Sequence, residues 1–133
     1  MRRAVVIASA VLLLGCAEGT GNGLLTAPVP LREVAADPEA FDDGPVRIRA
    51  SYYSSFEISV LTAGLAESHP PQPVEPLVWL VASPPDRCLE RAAGAAWADA
   101  VVASGTFRYD PEGGFGHLGQ YEMALQDATL ACA

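Results

Sequence analysis

The sequence predicts a mainly β fold. Five strands close into a barrel, with a short N-terminal helix and a second helix between strands three and four. Three observations carry that expectation. Apolar residues alternate with polar ones, or run without interruption, in five short stretches. Turn formers separate those stretches: an Asp-Gly pair, a cluster of prolines and a cluster of glycines. Helical spacing of apolar residues occurs before the first stretch and again after the third.

Leu31, Val34 and Ala35 stand at i, i+3 and i+4, the spacing of one short helix. Pro38 ends it, because the residue before a proline is pushed out of the helical region. Asp43-Gly44 is a turn signal ahead of Val46-Arg47-Ile48-Arg49-Ala50, whose alternation runs on into Ser51-Tyr52-Tyr53. Phe56 to Val60 alternates again, so the bend between the two strands is expected at Ser54-Ser55. Residues 62–76 carry prolines at 70, 71, 73 and 76 and are expected to form a loop. Leu77 to Val81 is a continuous apolar run, expected of a central strand buried on both faces. Ser83-Pro84-Pro85-Asp86 has the composition of a helix start, with a capping hydroxyl, early prolines and an acid at the positive end. Leu89, Ala92, Ala93, Ala96 and Trp97 continue a helical stripe, so a helix is predicted over 83–97. Val101 to Tyr109 is the fourth strand. Residues 111–119 form a glycine-rich loop, and Tyr121 to Leu130 is the last strand.

The first residues, Met1-Arg2-Arg3, precede an apolar run from Ala4 to Leu14 and then Gly15-Cys16. A positive start, a short apolar stretch and a small residue before a cysteine make a signal segment. The run is too short to span a bilayer comfortably as a helix. Leu13-Leu14-Gly15-Cys16 resembles the lipobox of bacterial lipoproteins. That resemblance implies cleavage before Cys16, acylation of its thiol (palmitate among the chains) and of the new amine, and a stable membrane anchor through several acyl chains. Ala17, where Gram-negative lipoproteins retained at the inner membrane commonly carry Asp, implies an outer-membrane anchor facing the periplasm. The chain thus divides into a signal peptide over 1–15, a Gly- and Pro-containing tether over 16–30, and a domain over 31–133.

Past the signal segment the chain keeps 6 Arg and no Lys against 16 Asp and Glu, a formal balance of −10. Nucleic-acid binding draws much of its affinity from cations that release counterions, so this balance disfavours a phosphate-backbone partner. Cys88 and Cys132 remain. Outside the cytoplasmic membrane two thiols in a small domain read as a disulfide. A reactive Cys88 is one alternative. A zinc pair is another, disfavoured by the lack of a CxxC spacing.

Residues 37–50, DPEAFDDGPVRIRA, resemble the phrase that leads into the first strand of bacterial exported proteins with an OB-like barrel. Val102-Ala103-Ser104-Gly105-Thr106-Phe107 resembles their fourth strand, where Gly lets the barrel bend. Gly114-Phe115-Gly116-His117-Leu118-Gly119-Gln120-Tyr121 resembles the phrase before the last strand. The resemblance covers residues 31–131 and implies the OB plan, in which a helix joins strands three and four. It implies no activity, since fold does not fix function.

The catalytic and metal patterns are weak. Ala103-Ser104-Gly105 is not a nucleophile elbow, and the two histidines, His69 and His117, lack the spacing of a metal site. The glycines of 113–119 are followed by neither Lys nor a helix, so they do not cradle phosphate. No cofactor is expected. The aromatics are the better candidates. Tyr52, Tyr53 and Phe56 flank the first hairpin, Trp79 lies on the third strand, and OB-folds bind ligands on that face. Adjacent Tyr52 and Tyr53 point to opposite sides, so one of them is expected at the surface. His117 completes this candidate binding face, or ties its loop to a carbonyl or to Tyr121. The expected function is a non-enzymatic interaction or structural role in the cell envelope, with an envelope protein as partner. Envelope glycan binding through the barrel face is the alternative, and a small hydrolase using His117 with a carboxylate is the last.

Overall fold

The computed structural model describes residues 27–133. The signal segment, Cys16 and the tether as far as residue 26 lie outside the described residues. Seven strands dominate: β1 (Val29–Pro30), β2 (Gly44–Ser55), β3 (Ile58–Ala66), β4 (Gln72–Leu80), β5 (Glu90–Ala92), β6 (Ala95–Tyr109) and β7 (Met123–Cys132). Two short helices, α1 (Leu31–Ala36) and α2 (Pro38–Phe41), lie between β1 and β2. The sheet runs β1-β2-β3-β4-β7-β6-β5, and β2 also pairs with β6. The β1–β2 and β4–β7 contacts are parallel and two residue pairs long, and the others are antiparallel.

The N-terminal helix forms where the spacing places it, with Leu31 and Val34 buried. Asp37, at φ −144° and ψ 68°, breaks it, and Pro38 then starts α2, where its missing N–H costs nothing. Val29–Pro30, at the end of the expected tether, is already paired with Ile48 and Arg49 of β2.

The predicted helix over 83–97 is absent. Asp86–Cys88 makes a single 3-10 turn, and the alanine-rich stretch folds into the β5–β6 hairpin. Ala92 pairs with Ala95, leaving Ala93 (φ 49°) and Gly94 (φ 78°) as a two-residue loop. Two positive φ angles define the hairpin turn whose twist suits its strands. Burial of Ala95, Ala96, Trp97 and Ala98 then outweighs the helix propensity of alanine. Ser83, expected as a helix cap, instead has its Oγ 3.4 Å from the Tyr52 hydroxyl.

The expected loop over 62–76 is mostly strand. β3 continues to Ala66 and β4 begins at Gln72. Pro73 and Pro76 are tolerated because β4 meets β7 only from Trp79 onward, so its other edge has no ladder to lose there. Pro76 also falls within a bulge of β4, where Glu75 and Pro76 stand against Ala63 alone. The buried Thr62 hydroxyl fills that gap. Its Oγ1 lies 2.6 Å from the Val74 carbonyl and accepts the Val74 N–H at 2.9 Å. The apolar run at 77–81 is buried at Val78 and Leu80 but exposed at Val81.

Each face of the sheet buries its own cluster. Ile48, Tyr52, Leu61, Val78, Leu80, Val101, Ala103, Phe107 and Leu125 form the larger core with Leu31 and Val34 of α1. On the other face Tyr53, Val60, Ala95 and Trp97 pack with half-buried Trp79, Leu77 and Tyr121. Cross-strand register aligns Trp97, Tyr53, Val60 and Trp79 in one row. The row is closed at one end by Glu90, whose carboxylate accepts the Trp97 indole N–H at 2.7 Å. At the tip of the β3–β4 hairpin, His69 meets Trp97 edge-on. Gly105 of β6 lies opposite a bulge in β7 at Asp127 and Ala128, and an added Cβ there would lie 2.5 Å from the Gln126 carbonyl oxygen. A disulfide joins Cys88 to Cys132 and fastens the end of β7 to the 3-10 turn.

Candidate functional site at two loop tips

The β2–β3 turn lies two residues beyond its expected place. Ser55 pairs with Ile58, so Phe56 and Glu57 form the loop. Glu57 has φ 58°, a conformation that Gly or Asn adopts at lower cost. Without Gly or Asn the turn left no mark in the sequence. Among the described residues Phe56 is left 85% exposed.

The glycine-rich loop between β6 and β7 is ordered by its own backbone. The Asp110 carboxylate accepts the Glu112 N–H at 2.9 Å, Phe115 and Tyr121 form an antiparallel bridge, and Gly114 N–H donates to the Gly119 carbonyl. Gly116, at φ 72°, lies against two rings. A Cβ there would sit 2.6 Å from Trp79 Cδ2 and 2.6 Å from Tyr121 Cδ2. Those rings pack together at 5.2 Å with a 40° tilt. The Tyr121 phenol is held above its ordinary pKa by burial and, secondarily, by the Glu75 carboxylate.

Pinned in this way, the loop turns outward at His117–Gly119. His117 Nε2 lies 3.0 Å from Glu57 Oε2, which ties the loop tip to the β2–β3 turn. Leu118 follows at φ 57° and ψ 16°, with 78% of its surface exposed. A bulky side chain in the left-handed region costs roughly 1–2 kcal/mol. No burial of Leu118 within the described residues offsets that cost.

The structure therefore divides the candidate face. Phe56 and His117 lie at the two loop tips that the Glu57–His117 contact joins. Trp79 is half-buried beneath Gly116 and Tyr121. Tyr52 and Tyr53 are 2% and 4% exposed, against the expectation that one of them faces solvent. They do point to opposite sides, but both sides carry a packed cluster. His117 meets a carboxylate rather than a carbonyl or Tyr121. Sequence reasoning missed Glu57, Gly116 and Leu118. The signal for Leu118 was an apolar residue alone among glycines and polar residues.

The pair His117–Glu57 has the base-and-orienter form used in nucleophilic catalysis, but no hydroxyl or thiol among the described residues hydrogen-bonds to His117. A shallow cleft of about 320 Å³ beside it is lined by Trp79, Val81, Phe115, Gly116 and Asp127 rather than by the pair. Among the described residues no cluster of three or more His, Cys, Asp or Glu side chains is arranged to hold a metal ion. No protein-family model, curated protein or solved structure matches this chain.

Proposed function

We propose that this protein is an OB-like β-barrel, lipid-anchored through Cys16 in a bacterial cell envelope, that serves a non-enzymatic role by binding another envelope protein through its loop tips. The OB-like part rests on strand pairing. Starting from β2, the contacts pass through β3, β4, β7 and β6 and return to β2, with a parallel contact between β4 and β7, third and fifth of these strands in chain order. That circuit supports the OB reading, with a 3-10 turn and a hairpin where the OB plan has its connecting helix. The address rests on the lipobox-like sequence.

The observation that carries the function is the exposure of Phe56 and Leu118 on either side of the Glu57–His117 pair. Aromatic residues are enriched at protein contacts, which favours Phe56 as an anchor, and Leu118 adds apolar area beside it. A glycan reading has less support. The closure of Trp79 under Gly116 and Tyr121 and the burial of Tyr52 and Tyr53 leave few open aromatic faces for a sugar ring.

Photo-crosslinking in living cells tests the proposal. A photoreactive residue replaces Phe56 in the intact lipoprotein, with Thr129 on β7 as control position. The expected result is a discrete protein adduct from position 56 and none from 129, in a membrane fraction that the Cys16→Ser variant no longer reaches. Labelling of glycan alone, or no labelling, would overturn the protein-binding claim.

A further inference from the structure

We infer that the Phe56 and Leu118 tips dock a basic, apolar peptide segment of a partner protein, one that presents Leu- or Ile-like side chains beside Lys or Arg. The inference rests on the reading of this chain as an interaction module and adds the chemistry of what it binds. Two independent features point to it.

The first is conformational. Phe56 precedes Glu57 (φ 58°) and Leu118 follows His117, so each apolar tip adjoins the side-chain contact that joins the two loops. Leu118 itself occupies the left-handed region. Gly or Asn would fit both left-handed positions with less strain, and no described residue covers Phe56 or Leu118. Strain kept at an exposed apolar residue is what a binding site retains and folding does not require. The His117–Glu57 contact joins the two tips before any partner arrives, which lowers the ordering cost of binding.

The second feature is charge. Residues 54–59 and 110–122 contain Glu57, Asp110, Glu112 and Glu122 and neither Arg nor Lys. Arg91, which with Ser54 and Ser55 lines a cleft beside this end, is paired with Asp86 at 3.1 Å. The two segments that carry the apolar tips are thus acidic, which is complementary to a cationic partner. Their charge repels anionic lipid, anionic polymer and a second copy of this acidic chain.

The test uses the full-length chain in nanodiscs of zwitterionic lipid, with empty nanodiscs as blank. The probes are three fluorescent 12-residue peptides alternating Lys/Leu, Glu/Leu and Lys/Ser. Anisotropy is expected to report binding of the Lys/Leu peptide alone, weakening about tenfold between 50 and 300 mM salt. Leu118→Asn and Phe56→Ser are each expected to weaken it at least tenfold. Leu118→Asn should keep or raise the Tm, because Asn accepts the left-handed turn, so its loss of binding is not a loss of fold. Equal binding of Glu/Leu or Lys/Ser, or wild-type affinity in Leu118→Asn, would overturn the inference. A protein adduct at position 56 in cells without Lys/Leu binding in nanodiscs would overturn this partner chemistry and leave the interaction reading standing. Binding of chitohexaose that Phe56→Ser abolishes would overturn both.

Discussion

Single residues decide how the loop tips are presented, and Gly116 is the sharpest case. It has a positive φ and lies between two rings that leave no room for a methyl group. Gly116→Ala should therefore cost about 3 kcal/mol, combining backbone strain with displacement of Trp79 or Tyr121. Urea unfolding would read this as a lowered midpoint with unchanged slope, and an unchanged midpoint would show that the rings yield freely. The cluster of glycines was legible in the sequence as a loop. Which glycine touches an indole was not, because that depends on β4 arriving from some 35 residues away in sequence. Tyr52 and Tyr53 teach a similar lesson. Alternation correctly sent them to opposite faces, but whether a face is wet depends on what the rest of the chain lays over it.

At the scale of elements, the misread segments share one cause: a local preference lost to a longer-range contact. Prolines 73 and 76 argue against a strand only where both edges are paired, and here one edge is open and a bulge takes up Pro76. Thr62 makes that arrangement possible by supplying hydrogen bonds that the ladder lacks. Thr62→Val keeps the shape and removes the hydroxyl, leaving the Val74 N–H without its partner. The expected loss is about 2 kcal/mol. It should come with faster amide exchange at Val74, and a protected Val74 amide would show that the ladder closes without Thr62. The alanines of 92–98 fit a helical stripe as well as they fit a hairpin. Only their partners, β2 and the tryptophan row, choose between the two. The short helix at Leu31 was legible because its spacing, its break at Asp37 and its buried face agree.

For the molecule as a whole, two long-range closures hold the chain: the β2–β6 pairing and the disulfide. The mainly β character was legible in the sequence, and so was the cysteine pair, because few residues and simple rules govern both. The β1 and β5 strands were not, being two and three residues long and defined by their neighbours alone. Cys88 and Cys132 are 44 residues apart, and a loop of that length constrains the unfolded chain by roughly 4 kcal/mol. The Cys88→Ala/Cys132→Ala double variant should lose about that much in equilibrium unfolding, and wild type under reductant should match it. Equal stability with and without the bond would mean that the reduced chain already holds its ends together. The smallest strand has its own consequence. Val29 and Pro30 are joined to β2 by only two residue pairs, and Leu31 and Val34 follow at once as plugs in the larger core. Mechanical load entering from the N-terminal side would meet these attachments in series, the weak pair first and the two plugs next. The fold would thus yield first at its threshold, shedding a few residues of slack while the β2–β3 and β2–β6 pairings behind them kept their register.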